Sequence, residues 1–509
     1  VRKTLFPDRI CAVLAAATPR HLARQLRAAR RLTRTFELRL DWLARTQDTK
    51  AALALLARGR QTWIATARRT SAGGRLRGSV HRQLDVLAKT VRRCAWRDVE
   101  VETMEPHGAA ARAAGRSRLI TSWHDFRRTP RDLQGVLRRL QHCGGDASKV
   151  AVQCNSIADS LRVLALCQGR RDVIAVPMGE MGLPARVLAL QHGSALAYAA
   201  AGEKTAPGQL TLEEMKRLYR ADKIDRRTRV YGVIGNPVSH SLSPLLHNTG
   251  FIACGLPHVY LPFLVRDLRD FLRAIGPLAI RGFSVTLPFK EAILRQLDDC
   301  DPLAAAIGAV NTVSVDRSGR LHGINTDYVG VLRALQRRIR LRGSRVLLLG
   351  AGGAARAAAF ALAQEGAIPA ICARRPERAR ALARAVHGEA MERRHLRREF
   401  FDAIVNCTPV GMHPTAAVSP LRTEELNCRL VFDTVYRPLE TRLLKLARRR
   451  GIETVSGVEM FLAQGMAQWE IWNEHRAPEK HMRRAVLAAL RKEANRVGKQ
   501  KEAPLPGLQ

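Results

Sequence analysis

The chain has 509 residues, 46% of them hydrophobic, which suits about three domains with sizeable cores and excludes wholesale disorder. No apolar run reaches the roughly 18 residues that cross a bilayer, and no stretch reads as a signal peptide, so we expect no membrane partner and a cytoplasmic location. A net charge of +40 raises nucleic acid as a partner, yet the arginines are spread along helix-like segments such as HLARQLRAARRL and form no basic arm. A solvated arginine-rich surface that attracts small anions fits better, and neither nucleic acid nor an obligate protein partner is expected. Ten cysteines without CxxC or Cys/His ligand spacing predict free thiols in a reducing compartment and no metal site.

Between residues 8 and 220, eight strand-like runs alternate with helical stretches: RICAVLAA, FELRL, TWIAT, RDVEVE, RLITSW, KVAVQC, DVIAVPM and ALAYAA. Thr211 then opens a TxxE capping box closed by Glu214. Eight strand–helix units predict an α/β fold with an N-terminal (β/α)8 barrel.

In the sixth run, Val150, Val152 and Cys154 alternate with Lys149, Ala151 and Gln153. Barrel valines pack outward against helices, so Lys149 points inward. Partial desolvation would free its amine as a nucleophile toward a ketone; pairing with an interior carboxylate is the alternative, and spacing does not separate the two. His124 ends the fifth strand, one strand away, and can shuttle protons. Glu37 and Arg39 share a face of the second strand, Arg68 follows the third, and Arg186 in the seventh loop suits a substrate carboxylate. Together these groups fit imine chemistry on an anionic ketone.

With FELRLD, TARRTSAGG, TSWHDFRRTP, GGDASKVA, MGEMGLPARV and EKTAPGQ in that order, residues 8 to 210 resemble type I 3-dehydroquinate dehydratases. The resemblance implies that Lys149 forms an imine with the substrate ketone. It also implies that His124 removes a proton from the neighbouring carbon and returns one to the departing hydroxyl. By the same resemblance Arg68 and Arg186 hold the carboxylate and hydroxyls, and Glu37, Arg39, Thr205 and Gln209 complete the pocket. Ala72 stands where the family usually has a glutamate that assists the histidine, and Thr205 where it has serine. An inactive barrel kept as a scaffold is therefore the alternative.

From about residue 228 the pattern changes. In RVYGVIGNPVSHSLSPLLHN a strand and turn precede a helix for which Ser243 is the expected N-cap, with Pro244 at the first helical position. The cap leaves Ser241 unexplained, and two hydroxyls at a helix N-terminus suit a carboxylate. SRVLLLGAGGAARAAAFAL reads as a buried strand, a glycine turn and a helix, a nucleotide-binding unit built on Gly350, Ala351, Gly352, Gly353 and Ala354. Further on, Arg374, Arg375 and Arg378 stand where an NAD site would carry a carboxylate, which points to NADP; ordinary surface arginines are the alternative. Lys290 and Asp327 could serve proton transfer to a reduced ketone, or be an ordinary surface pair.

GNPVSHSLSP, GFSVTLPFK, IGAVNT, GINTDYVG, GAGGAARA, NCTPVGM, DTVYRP and GVEMFLAQG make residues 229 to 490 resemble shikimate dehydrogenases. The resemblance implies that Ser241 and Ser243 bind the substrate carboxylate, that Thr286, Asn311 and Gln464 hold ring hydroxyls, and that Tyr436 lines the site. Lys290 and Asp327 would be the catalytic pair, with Thr408 and Met460 near the nicotinamide. Ser284 and Ala373 replace asparagines usual in that family, and Arg375 replaces a threonine. Quinate dehydrogenase on the same scaffold is a rival. The whole chain resembles bifunctional dehydroquinate dehydratase–shikimate dehydrogenases, implying two consecutive steps from 3-dehydroquinate through 3-dehydroshikimate to shikimate. We expect the barrel at residues 1–220, a substrate domain at 229–334 completed by 456–495, a Rossmann-type NADP domain at 335–455, and a loose tail at 496–509.

Overall fold

The computed structural model describes residues 5–45, 48–56, 60–113, 115–204, 208–412 and 415–502. All eight expected barrel strands are present: β1 (Ile10–Leu14), β2 (Thr35–Arg39), β3 (Thr62–Thr66), β4 (Trp96–Glu100), β5 (Arg118–Asp125), β6 (Ala147–Gln153), β7 (Val173–Met178) and β8 (Ala197–Ala200). The helices between them are α1 (Pro19–Ala29), α2 (Asp48–Ala54), α3 (Val80–Ala88), α4 (Val101–Ala113), α5 (Leu133–His142), α6 (Ile157–Ala165) and α7 (Leu183–Leu188). The strands form one parallel sheet in the order β7-β6-β5-β4-β3-β2-β1-β8.

The last seam is not a ladder. On the β7 side the Ala175 N–H goes to the Ser194 hydroxyl (3.1 Å), which itself donates to the Leu196 carbonyl (2.8 Å). The Ala195 N–H reaches the Val173 carbonyl (2.8 Å). A serine thus stitches the barrel where strand pairing stops.

Val150, Val152 and Cys154 pack outward with Leu133, Leu137 and Leu140 of α5 and Val163 of α6, as their alternation predicts. Inside, Phe6, Ile64, Trp96, Ile120 and Ile174 fill the barrel. Burying each such side chain contributes about 1.5–3 kcal/mol, enough to hold polar groups on the rest of the inner face. After β8, the Thr211 N–H bonds Glu214 Oε2 (2.6 Å) and the Glu214 N–H bonds Thr211 Oγ1 (3.1 Å), the predicted reciprocal cap, here opening a π-helical turn over Glu214–Leu218.

The second half continues with β9 (Arg229–Gly235), α8 (Ser243–Ala253), β10 (His258–Leu264), α9 (Leu268–Ala274), β11 (Ile280–Val285), β12 (Asp299–Cys300), α10 (Pro302–Ile307), β13 (Thr312–Val315), β14 (Leu321–Ile324) and α11 (Asp327–Gln336). The nucleotide-binding segment follows as β15 (Arg345–Leu349), α12 (Gly353–Gln364), β16 (Ile368–Cys372), α13 (Pro376–Ala385), β17 (Glu389–Ala390), β18 (Phe401–Asn406), β19 (Cys428–Asp433), α14 (Arg442–Arg449) and β20 (Glu453–Ser456). Two helices, α15 (Gly457–Asn473) and α16 (Glu479–Glu502), close the chain. Helix α16 therefore runs past residue 496, where a loose tail was expected; residues 503–509 lie outside the described residues.

Two compact units result, one of residues 1–230 with 257–279 and one of 231–256 with 280–509. Segment 257–279 falls in the first of these units. There the Asp270 carboxylate accepts the Ile157 (2.7 Å) and Ala158 (3.1 Å) N–H groups at the start of α6, satisfying orphan donors that sequence spacing could not pair. In the other unit, β17-β16-β15-β18-β19-β20 form a parallel sheet whose order reverses between β15 and β18. The crevice outside the carboxyl ends of those two strands is where such sheets bind ligands.

One local expectation is corrected. Ser243 is the first residue of α8 and not its cap, because the Leu246 N–H already reaches the Leu242 carbonyl (2.9 Å). The Ser241 hydroxyl, two residues earlier, accepts the Ser243 N–H (3.2 Å).

Candidate active sites

A cavity of about 330 Å³ opens in the barrel, and Glu37, Arg39, Arg68, His124, Lys149, Arg186 and Gln209 all line it. Thr205 lies outside the described residues. Lys149 Nζ donates to Asp98 Oδ2 (2.9 Å), stands 3.7 Å from Glu37 Oε1, and sits 4.0 Å from the centre of the Tyr198 ring. Asp98 Oδ1 accepts from Arg68 (2.8 Å) and from the Ser122 hydroxyl (2.6 Å). Burial alone would raise the Asp98 pKa; Arg68 and Lys149 overcome it and hold the carboxyl well below its ordinary range. The same carboxylate, with Glu100 and Glu37, outweighs burial at Arg68 and pushes its pKa up. Both readings of Lys149 therefore meet in one geometry: a carboxylate partner fixes an inward amine at the cavity wall.

His124 stacks on Phe126 with centroids 5.9 Å apart, and its pKa lies well below 6.5, first from burial and then from Arg68 and Lys149. The imidazole is neutral at pH 7 and competent to take a proton. Among the described residues its Nδ1 is buried without a partner, and Ala72 occupies the cavity wall where the family glutamate was expected. Two outcomes follow. If the barrel dehydrates its substrate as the resemblance implies, the acid limb of its rate profile falls below pH 6.5, since activity is lost only as pH drops through the depressed His124 pKa; a limb at or above 6.5 contradicts this assignment. In Ala72→Glu, a carboxylate supplied to Nδ1 raises kcat about tenfold, and a kcat at or below wild type refutes the missing-acceptor account.

Arg186 is buried, donates through Nε to the Pro177 carbonyl (2.6 Å), and has its pKa lowered to about 10 by burial. It pairs with no described carboxylate, which leaves a desolvated guanidinium for an anion in the cavity. Arg39 instead grips Asp41 through two hydrogen bonds (2.9 and 2.8 Å). The sequence reading missed Asp98. Its signal was present: in RDVEVE, Asp98 and Glu100 alternate just as Lys149 does.

In the other unit, Lys290 Nζ and Asp327 Oδ2 are 2.5 Å apart, which places in contact the two residues that spacing alone left as a surface pair. Asp327 Oδ1 accepts from Asn311 Nδ2 (2.8 Å), and the Asp327 N–H bonds Asn325 Oδ1 (3.0 Å). Asn311 also donates to Thr326 Oγ1 (3.1 Å) and accepts from Thr312 Oγ1 and the Thr326 N–H (both 2.7 Å). Its amide thus helps orient Asp327 at the site. Behind it, Gln468, which the sequence reading did not single out, accepts from Ser284 (2.8 Å) and donates to Thr312 Oγ1 (3.1 Å).

Ser241 and Ser243 stand at the start of α8, and the Leu242 backbone between them lies beside the Tyr436 hydroxyl, partly offsetting the burial that raises its pKa. The Tyr436 ring stacks on Phe461 (4.5 Å). Gln464, half-buried on α15, donates to the Phe461 carbonyl (2.9 Å), and the Thr286 N–H bonds the Ile234 carbonyl (3.0 Å).

Gly350 has φ +111°, open to glycine, and donates to the Cys372 carbonyl (2.8 Å); a Cβ there would come within 3.2 Å of Thr408 Cγ2. Gly352 caps α12, and a Cβ on it would meet nothing within 4 Å, so the helix N-terminus faces open space. Gly353 begins that helix beside Lys290, whose Cδ is 3.5 Å from a Cβ built there. Ala351 and Ala354 flank these glycines. Arg374, Arg375 and Arg378 are exposed just beyond β16 and pair with no described carboxylate. This set fits a dinucleotide with a 2′-phosphate. Met460 is buried against Gly330 of α11. Among the described residues no helix is long and apolar enough to cross a membrane, and no group of three His, Cys, Asp or Glu is placed to hold a metal.

A barrel with an inward lysine and a neutral histidine lining one cavity, followed by a nucleotide fold with a lysine–carboxylate pair, defines a lyase fused to an NADP-dependent dehydrogenase. Residues 10–226 match the family model of type I 3-dehydroquinase, 233–313 that of the shikimate dehydrogenase substrate binding domain, and 457–487 that of the shikimate 5′-dehydrogenase C-terminal domain. The chain is 35% identical over 470 residues to the bifunctional 3-dehydroquinate dehydratase/shikimate dehydrogenase, chloroplastic, of Arabidopsis thaliana, covering 87% of this chain and 78% of that one. It belongs to the bifunctional 3-dehydroquinate dehydratase/shikimate dehydrogenase family. The second half is also 43% identical over 278 residues to the NADP(+) shikimate dehydrogenase of Methanosarcina acetivorans, covering 52% of this chain and 99% of that protein. A crystal structure of a shikimate dehydrogenase in complex with NADP+ superposes with a TM-score of 0.50 at 36% identity, over 52% of this chain and 97% of that one.

Proposed function

We propose that the chain dehydrates 3-dehydroquinate to 3-dehydroshikimate and then reduces that product to shikimate. The observation that carries this reading is that one chain assembles both Lys149 with its neutral neighbour His124 and the hydrogen-bonded Lys290–Asp327 pair. In the barrel, Arg186 takes the substrate carboxylate and the Lys149 amine adds to the ketone, losing water to give the imine. His124 then removes a proton from the adjacent carbon and returns it to the departing hydroxyl, which leaves as a second water. Hydrolysis of the imine releases 3-dehydroshikimate and restores Lys149.

In the second half Ser241 and Ser243 seat the carboxylate, with Thr286, Gln464 and Tyr436 around the ring. Bound NADPH supplies the hydride. Lys290, held by Asp327, supplies the proton at the carbonyl oxygen as it becomes a hydroxyl. Arg374, Arg375 and Arg378 hold the 2′-phosphate beside the Gly350–Gly353 turn. Replacing Arg375 and Arg378 together with alanine is expected to raise KM for NADPH about tenfold or more while leaving kcat/KM for NADH nearly unchanged.

We place the dehydratase at 1–220, the substrate domain at 229–334 with 456–495, and the nucleotide domain at 335–455. All ten cysteines are free, which supports a reducing compartment such as the cytoplasm. The test is a coupled assay: protein, 3-dehydroquinate and NADPH, following NADPH absorbance and identifying shikimate. A second reading, a dehydrogenase joined to an inactive barrel, is favoured by Ala72 and the partnerless His124 Nδ1. NADPH loss only after 3-dehydroshikimate is added would establish it.

A further inference from the structure

Asp433 ends β19, is fully buried, and has no cationic partner among the described residues. Its two oxygens instead accept three neutral donors: Asn406 Nδ2 (2.9 Å) and the Val435 N–H (3.0 Å) at Oδ1, and the Thr441 hydroxyl (2.6 Å) at Oδ2. Burial, only partly offset by these bonds, holds its pKa up at about 6. A buried carboxylate without a counter-charge is unfavourable, so its presence here calls for something an apolar residue would not do. A carboxylate offers up to four acceptor sites on two oxygens, so it can tie several donors from different loops to one point.

The donors belong to two loops that leave the sheet toward the crevice. Asn406, also fully buried, passes the constraint to the loop after β18: its Oδ1 accepts both the Thr408 N–H (3.0 Å) and the Thr408 hydroxyl (2.7 Å), and its Nδ2 also reaches the Val410 carbonyl (3.1 Å). Thr408 is the residue that a Cβ on Gly350 would crowd, so this loop abuts the glycine turn of the nucleotide site. Val435 and Thr441 bracket the other loop, the one that carries Tyr436 to the N-terminus of α8.

We infer that Asp433 is a positioning residue for the reduction: through Asn406 it sets Thr408 against the nucleotide turn, and through Val435 and Thr441 it sets the loop bearing Tyr436 at the substrate seat. One buried carboxylate then fixes the cofactor side and the substrate side of the cleft in a common register. Beyond Asp433, the Asn406 side chain bonds, among the described residues, only the cofactor-side loop; its carbonyl, which accepts the Thr434 N–H (3.0 Å) and hydroxyl (2.7 Å) of the other loop, is kept in an alanine variant. This rests on the dehydrogenase reading of the second half.

The variants are Asn406→Ala, Asp433→Ala and Asp433→Asn in the full chain. Asn406→Ala raises KM for NADPH and the calorimetric Kd for NADP+ about tenfold, the size of one or two lost hydrogen bonds, with KM for 3-dehydroshikimate unchanged. Asp433→Ala raises both KM values. Asp433→Asn can keep its amide oxygen toward Asn406 and Val435 and its NH2 toward Thr441, so it restores both constants to within about threefold of wild type. A merely structural role would lower the melting temperature and the amount of active protein without separating the two KM values. Equal or absent KM changes in Asn406→Ala overturn the inference, as does an Asp433→Asn chain no better than Asp433→Ala. If Asp433→Ala does not fold, the other two variants decide. If wild type itself fails to oxidise NADPH with 3-dehydroshikimate, the functional reading falls, and the NADP+ Kd of Asn406→Ala still tests the clamp.

Discussion

In Lys149→Ala, dehydration of 3-dehydroquinate falls by at least about a thousandfold while reduction of 3-dehydroshikimate by NADPH proceeds at the wild-type rate. The loss is large because, among the described residues, no other amine lines the cavity: Arg39, Arg68 and Arg186 are guanidiniums that stay protonated and cannot add to a ketone. Borohydride added during turnover should leave a substrate-sized mass on wild type and none on Lys149→Ala. The variant also leaves Asp98 and Glu37 short of a cation. Asp98 keeps Arg68 and Ser122, and Glu37 keeps the Thr66 hydroxyl (2.7 Å), so the barrel stays folded at some loss of stability. More than a few per cent of wild-type dehydratase turnover in Lys149→Ala would falsify the imine assignment.

The second large effect is in the other half. Lys290→Ala lowers kcat for reduction about 10²–10⁴-fold, the range for loss of a positioned proton donor, with KM for NADPH little changed. Asp327→Asn is milder in charge but equally disruptive in geometry. Asp327 accepts Lys290 on one oxygen and Asn311 on the other, and an amide cannot accept on both sides. Steady-state NADPH oxidation, with dehydratase turnover of the same preparation as internal control, separates these effects from misfolding. A Lys290→Ala enzyme within tenfold of wild type would remove Lys290 from the proton path.

Period-two alternation was enough to place every barrel strand and to turn Lys149 inward, because one-sided burial leaves a local trace. The strand, glycine turn and helix at 345–364 were legible for the same reason. What alternation could not supply was partnership. Lys149 and Asp98 are 51 residues apart along the chain and meet only because β4, β5 and β6 lie side by side. Lys290 and Asp327 needed resemblance to be paired at all, since the intervening hairpin strands carry no mark of the register that joins them. Ser243 failed for another reason: a serine before proline reads equally well as a cap or as a first helical residue, and the choice depended on where the Leu246 N–H found its acceptor. Asn311 was singled out by resemblance, and its hydrogen bonds to Asp327 and Thr326 are a partnership that only the fold reveals.

The Ser194 stitch between β7 and β8 has a thermodynamic corollary. The cavity straddles that edge, drawing Val176, Met178 and Arg186 from one side and Tyr198 and Gln209 from the other. An occupant therefore spans the one place where the sheet lacks its own ladder, and its binding energy adds to the cohesion of the barrel. Without an occupant, the seam rests on the bonds of Ser194 and Ala195. Filled, the barrel is a hoop closed by its own substrate.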